Sequence, residues 1–330
     1  MKEVEILYTV SLNRRGRKTS LWLPLPFDTD FQKLISFDYE GDYSESDVFR
    51  ESIYNTPMLY AEWRGEETQI IKLKIKAAIR ERITEWSRVK ESGGIPEDIK
   101  IFLSPTRHIP TDGIVKEYAD RITGAEAGDV KKARAVYNWI VENTYREPEV
   151  KACGLGDVKS ILESGNFCGK CVDIGSLFVA LLRASGVPAR EVFGIRVDES
   201  EISPSLAKAG DITTAQHCKA EFYVAGYGWV PVDPADVRKV ILEEKILLGD
   251  ARVEKIREYL FGNWENNWLA FNHARDFILN PPQNKVPLNY FMYPYCEVDG
   301  KPLDHFEPET FSYKISCLTK VAQGLHWPTY

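Results

Sequence analysis

"GNFCGKCVDIGSLFVALLRASGVPAR", residues 165–190, sets Cys168 and Cys171 three apart directly before a run of helix-forming residues. Ile174, Leu177, Phe178, Leu181 and Leu182 recur at helical spacing, and Gly186 with Pro188 marks the stop. The stretch predicts a helix from Cys171 to about Ser185. Because it is apolar on most sides, it should be the buried central helix of its domain. A Cys-x-x-Cys pair at that place fits a metal clip, a redox dithiol, or a nucleophile that needs a base.

A thiol becomes a good nucleophile when its thiolate is stabilised, by the free N–H groups and dipole of a helix start and more strongly by an imidazolium. The sequence pattern supplies the first condition at Cys171. Further on, "HCKAEFYV" and "GWVPVDP" read as two strands joined by the Gly-bearing turn "AGYG". His217 opens the first strand and Asp233 ends the second. In an antiparallel hairpin the start of one strand lies beside the end of the other, so the two are expected as cross-strand neighbours. Cys171, His217 and Asp233 then form a nucleophile, a base and an orienting carboxylate.

Outward from this core the chain divides into four parts. Residues 1–90 read as a β-rich domain of sandwich type: "EVEILYTVSL", "SLWLPLP" and "PMLYAEWRG" are short strands, and "QIIKLKIKAAI" alternates apolar residues with Lys72, Lys74 and Lys76. The lysine stripe is the solvated face of a sheet, and "DYEGDYSESD" is an acidic loop between strands. Residues 91–112 form a Pro- and Gly-containing connector. Residues 113–240 carry helices, the central helix and the hairpin, with Asp129 as the N-cap of "GDVKKARAVYNWIVENTY" and Gly165 closing "DVKSILES". Residues 241–330 are a mixed extension packing on the core.

The chain resembles the transglutaminase-like superfamily, in particular bacterial and archaeal members described as candidate cysteine proteases. The resemblance is carried by "GKCVDIGSLFVALLRASGVPAR", "HCKAEFYVAGYGWVPVDPADV" and the upstream "KARAVYNWIVENTYRE". It is strongest over residues 110–240, and "SLWLPLP", "LFGNWENNWLAFNHARDFIL" and "PLNYFMYP" extend it towards both ends. It implies an α+β fold with a papain-like core, Cys171 as nucleophile, His217 as general base and acid, and Asp233 as orienter. The implied reaction attacks an amide of a peptide or protein substrate and passes through a thioester that water or an amine resolves. Members commonly carry an aromatic two residues after the histidine, whereas this chain has Lys219. A cation there opposes an imidazolium if it points inward. That departure keeps a second reading open: a catalytically silent binding or scaffold module. The backbone N–H of Cys171 is expected in the oxyanion hole, with the Asn166 side chain as a candidate second donor.

Other chemistries fit less well. A redox dithiol of Cys168 and Cys171 needs a strand directly before the motif, where "DVKSILESGN" reads as helix and turn. A zinc site from Cys168, Cys171, His217 and Cys218 is opposed by alternation, which points His217 and Cys218 to opposite faces. No metal or cofactor is expected. Glu221, on the His217 face, is read as an ion-paired or solvated carboxylate. His273 and Asp276 with Trp264, Asn267 and Trp268 are read as core, with a substrate cleft as the competing use. His108, His305 and His326 are given no role. A net charge of −7 points away from nucleic acid and anionic membrane. No apolar stretch reaches the length of a membrane span, and "MKEVEILYTVSLNRR" lacks the apolar centre of a signal peptide, which leans towards the cytoplasm with export as the alternative. Six cysteines in 330 residues are too few for a disulfide scaffold.

Overall fold

The computed structural model describes residues 1–13, 16–65, 69–124, 126–284 and 286–322, and it has the α+β architecture expected from the sequence. Alternation organises the N-terminal part. In the strand Lys2–Leu12, Val4, Ile6, Tyr8, Val10 and Leu12 are buried, and in Gln69–Ile79 so are Ile71, Leu73, Ile75 and Ala77. The two pair antiparallel along their full length, since a one-residue slip would turn either apolar row to water. The intervening lysines stay on the wet face, Lys74 at 2.7 Å from Glu5 and Lys72 at 3.2 Å from Glu40.

Two five-stranded sheets result. One runs Gly210–Asp211, Phe311–Val321, Lys2–Leu12, Gln69–Ile79, Gln32–Gly41; the other runs Lys301–Pro302, Tyr295–Val298, Gly16–Pro24, Pro57–Gly65, Glu45–Arg50. Tyr8 and Leu73 of the first and Leu23 and Leu59 of the second belong to one continuous apolar cluster. The C-terminal segment therefore completes sheets begun at the N-terminus. The acidic run at 38–47, expected as a loop, is the end of one edge strand, a short turn and the start of another. Its carboxylates face water, as charges on sheet rims do, while Tyr39, Tyr43 and Val48 pack on the core.

Among the described residues six α-helices follow: α1 (Ile114–Thr123), α2 (Asp129–Asn143), α3 (Val158–Ser164), α4 (Cys171–Ala184), α5 (Pro234–Glu243) and α6 (Ala251–Tyr259). Asp129, expected to cap α2, is instead its first residue; the free N–H groups of Asp129 and Val130 donate to the Glu91 carboxylate at 2.8 and 3.1 Å. Gly165 closes α3 in the left-handed conformation, as expected. Every residue of α4 from Cys171 to Arg183 is buried. It lies between α1 and α2 on one side and an antiparallel sheet on the other, ordered Gly228–Val232, Gln216–Val224, Ala189–Arg196, Trp268–Asn272. Burying Leu177, Phe178, Leu181 and Leu182 contributes about 1.5–3 kcal/mol apiece, which fixes the helix and the residue at its head. Among the described residues no helix is long and apolar enough to cross a membrane.

Candidate active site

Cys171 is the first residue of α4, and the turn before it is held by Asp173. One oxygen of Asp173 accepts the Lys170 N–H at 2.9 Å; the other accepts those of Leu155 and Gly156 at 3.0 and 2.8 Å. This pins the loop before α3 to the helix start. Gly154, at φ +98°, passes so close that a Cβ there would lie 1.9 Å from the Asp173 carboxylate. The same loop brings in Cys153, whose carbonyl accepts the Val172 N–H at 2.9 Å. Its sulfur lies 3.3 Å from the Gln216 carbonyl and 3.1 Å from the Tyr293 hydroxyl.

The hairpin register explains the rest. Its last pair sets Ala220 against Val232, so the next step would put Asp233 opposite Lys219, with His217 two residues along. Asp233 has by then left the strand and caps α5, accepting the Asp236 N–H at 3.0 Å through Oδ1. Its Oδ2 faces both His217 Nε2, at 2.8 Å, and Lys219 Nζ, at 3.0 Å. The pairing of His217 with Asp233 thus arises across a strand and a helix cap rather than between two strand residues. With Nε2 committed to Asp233, Nδ1 is the ring nitrogen left for Cys171. Trp268 donates its indole N–H to the His217 carbonyl at 3.0 Å, and Gly194 opposite His217 leaves room for that ring.

Hydrogen bonds from Cys153 and then Cys218 favour a thiolate at Cys171; burial opposes it, and His217 adds a hydrogen bond and its charge. The balance holds the Cys171 thiol well below the ordinary range. Cys153 and Cys218 are pushed the other way, Cys153 first by Cys171 and Cys218 first by burial. Of the three sulfurs, the surroundings favour the anion at Cys171. Its partners are Cys153 and Cys218; Cys168 is half-buried in a two-residue strand beside Tyr145–Arg146.

Lys219 points inward and is 3% exposed. Besides Asp233 it approaches Asp236 at 3.9 Å, and its ammonium stands 5.7 and 5.8 Å from the ring centres of Trp264 and Trp268. Asp236, which the sequence reading missed, lies 3.4 Å from His217 and 2.5 Å from Arg196. Burial works against its ionisation, but Arg196, His217 and Lys219 outweigh that and lower its value. His217, Asp233 and Asp236 offer ligand atoms within 4.8 Å of one another. The cations Arg196 and Lys219 already balance these carboxylates, so the cluster is complete as an ion-pair network without a metal.

The remaining residues singled out earlier separate cleanly. Asn166 is exposed, its Oδ1 accepting from the Tyr145 hydroxyl. Glu221 is buried between Arg82 and Arg190, which override burial and bring its value down to about 2. Trp264, Asn267 and Trp268 are buried; His273 sits among the edges of Phe27, Tyr54 and Phe102, and Asp276 pairs with His108. His305, given no role, stacks on Tyr293 at 4.6 Å and lines a cavity of about 420 Å³ that reaches Cys153, Lys170 and Gln216. His326 lies outside the described residues.

A family profile described as the transglutaminase-like superfamily matches residues 116–234. An uncharacterised protein of Haemophilus influenzae is 44% identical over 314 residues, which span 90% of this chain and 85% of that protein. The crystal structure of a candidate cysteine protease from Cytophaga hutchinsonii superposes with a TM-score of 0.61 at 15% identity, covering 98% of this chain and 92% of the other. At that identity the likeness speaks for the fold alone.

Proposed function

The chain belongs to the transglutaminase-like superfamily, and on that premise we propose that it is a cysteine-dependent enzyme acting on amide bonds of peptides or proteins. The observation that carries this reading is the depressed Cys171 thiol within reach of a His217 ring whose far nitrogen is held by Asp233 at 2.8 Å. The Cys171 thiolate attacks the amide carbonyl, forming a C–S bond and an oxyanion. The Cys171 backbone N–H receives that oxyanion, with the Asn166 carboxamide as the second donor. As the C–N bond breaks, His217 gives its proton to the departing amine. His217 then takes a proton from water, which attacks the thioester and releases a carboxylate and the thiolate. Water is proposed as the acceptor, with an amine as the competing one.

The test is iodoacetamide labelling near neutral pH with the adducts mapped by mass. Cys171 is expected to alkylate faster than Cys317, whose thiol burial raises to about 11. Equal or slower labelling of Cys171 would remove the nucleophile. Replacing Asn166 by Ala is expected to lower kcat with KM little changed; an unchanged kcat would dismiss that donor.

One observation favours a second reading, a silent binding module. Cys171 is 1% exposed and Lys219 occupies the carboxylate that orients His217. Rapid alkylation of Cys171 together with no turnover of any member of a diverse peptide pool would select it.

A further inference from the structure

His217 opens onto a basic pocket. A cavity of about 220 Å³ is lined by His217 and Gln216 and by four cations: Arg146, Arg196, Lys208 and Lys239. Among the described residues no Asp or Glu lines it, although the chain as a whole carries a net charge of −7. It shares Arg146, Thr214 and Gln216 with the larger cavity that reaches Cys153, so the two form one depression running from His217 to Cys153.

Two of the four cations, Arg146 and Lys239, are poorly compensated. Arg196 is neutralised by Asp236 at 2.5 Å. Lys239, one helical turn beyond Asp236 on α5, pairs with the half-exposed Glu243 at 3.7 Å and shares Asp236 with Arg196. Arg146 has a buried Nη1 with no hydrogen-bond partner among the described residues. Leaving such a donor unpaired is costly. Burial first, and then the like charges of Arg196 and Arg146, hold the Lys239 ammonium below its ordinary value. Folding has gathered cations of like charge around a small space, an arrangement that an anion would relieve.

Building on the proposed thiol chemistry, we propose that this pocket is a specificity subsite for a carboxylate carried next to the scissile amide, gripped by Arg146 and Lys239 with Lys208 at the rim. Its volume suits a carboxylate with a few carbons. The group is either an Asp or Glu side chain or the free C-terminus of a short peptide.

The test compares alkylation of Cys171 by iodoacetate and iodoacetamide, in which the same sulfur displaces iodide from a charged or a neutral reagent. The ratio of the two rates cancels changes in thiolate fraction. It is expected to fall by about tenfold or more in Arg146→Gln/Lys239→Gln relative to the parent protein, and to fall with rising salt in the parent alone. An unchanged ratio in the double variant overturns the subsite. No labelling of Cys171 by either reagent would instead remove the underlying thiol reading. A second arm measures protection of Cys171 from iodoacetamide by acetyl-Ala-Glu-amide, acetyl-Ala-Ala with a free carboxyl, and neutral acetyl-Ala-Gln-amide. Protection by the first assigns a side-chain carboxylate and by the second a terminal one, in each case only if it is lost in the double variant. Equal protection by all three overturns the proposal.

Discussion

Lys219 sets its ammonium 3.0 Å from Oδ2 of Asp233, the oxygen that also faces His217. The contact follows from the hairpin register, which brings Asp233 opposite Lys219 and only diagonally to His217. Two buried carboxylates, Asp233 and Asp236, are then balanced by two buried cations, Arg196 and Lys219. Removing one cation leaves an uncompensated buried charge. Lys219→Met, close in volume, is expected to lower stability by about 3 kcal/mol. Urea unfolding of parent and variant measures it; a loss below ~0.5 kcal/mol, typical of exposed pairs, would contradict the network.

The depressed Cys171 thiol has a pH signature. A thiol whose folded value lies below the ordinary one keeps more thiolate as pH falls, so its alkylation should slow at lower pH than that of an ordinary thiol. Cys153 is the strongest influence and His217 a further one. Cys153→Ala and His217→Ala should each move the slow limb to higher pH and reduce the rate at pH 6 by about tenfold or more. Rate–pH curves that superimpose on the parent would show that neither group stabilises the thiolate.

Much of this was legible in the sequence because it is local. Periodicity places α4 and its burial, the Gly-bearing turn places the hairpin, and chain order brings Cys171, His217 and Asp233 to one end of the sheet. What escaped depends on distant pairings. Nothing local says that Phe311–Val321 pairs with Lys2–Leu12, or that Trp268–Asn272 supplies the fourth strand of the core sheet. Cys153 escaped because the loop carrying it has no periodicity; its adjacent signal was the glycine pair Gly154 and Gly156, needed where the chain wraps Asp173. Asp236 could have been found, since "DPAD" sets a second carboxylate three residues after the first at a helix start. Lys219 was noticed as a departure, but its partners were not, because register decides them.

Asp173 is the joint between the Cys153 loop and the head of α4, accepting three backbone N–H groups. In Asp173→Asn one position of the carboxamide is a donor and must face a donor. An unsatisfied buried N–H costs about 1–3 kcal/mol, and that loss of stability is the expected result. Because the joint positions Cys153 against Cys171, iodoacetamide labelling of Cys171 should slow in the same variant. Full stability with slowed labelling would still support positioning, whereas parental values in both would deny the joint.

Acid should expose His273 and His305. Burial holds both imidazoles below the ordinary value, His305 at about 4, with Arg190 adding to the effect at His273. The unfolded chain therefore binds more protons than the folded one once pH drops below about 6.5, so stability is whole above that point and declines beneath it. Each ring contributes a slope of up to about 1.4 kcal/mol per pH unit. Glu221 titrates in a separate window: lowered from 4.5 to about 2, its ion pairs stabilise the fold above the ordinary carboxylate value and are lost only as pH falls towards 2. Denaturant unfolding between pH 7 and 5 thus reports the histidines. His273→Phe keeps a ring among Phe27, Tyr54 and Phe102, and the Nδ1 it removes has no partner among the described residues. The variant should lose about one proton's worth of that slope. A slope equal to the parent's would mean that His273 titrates freely and is not held neutral by its surroundings.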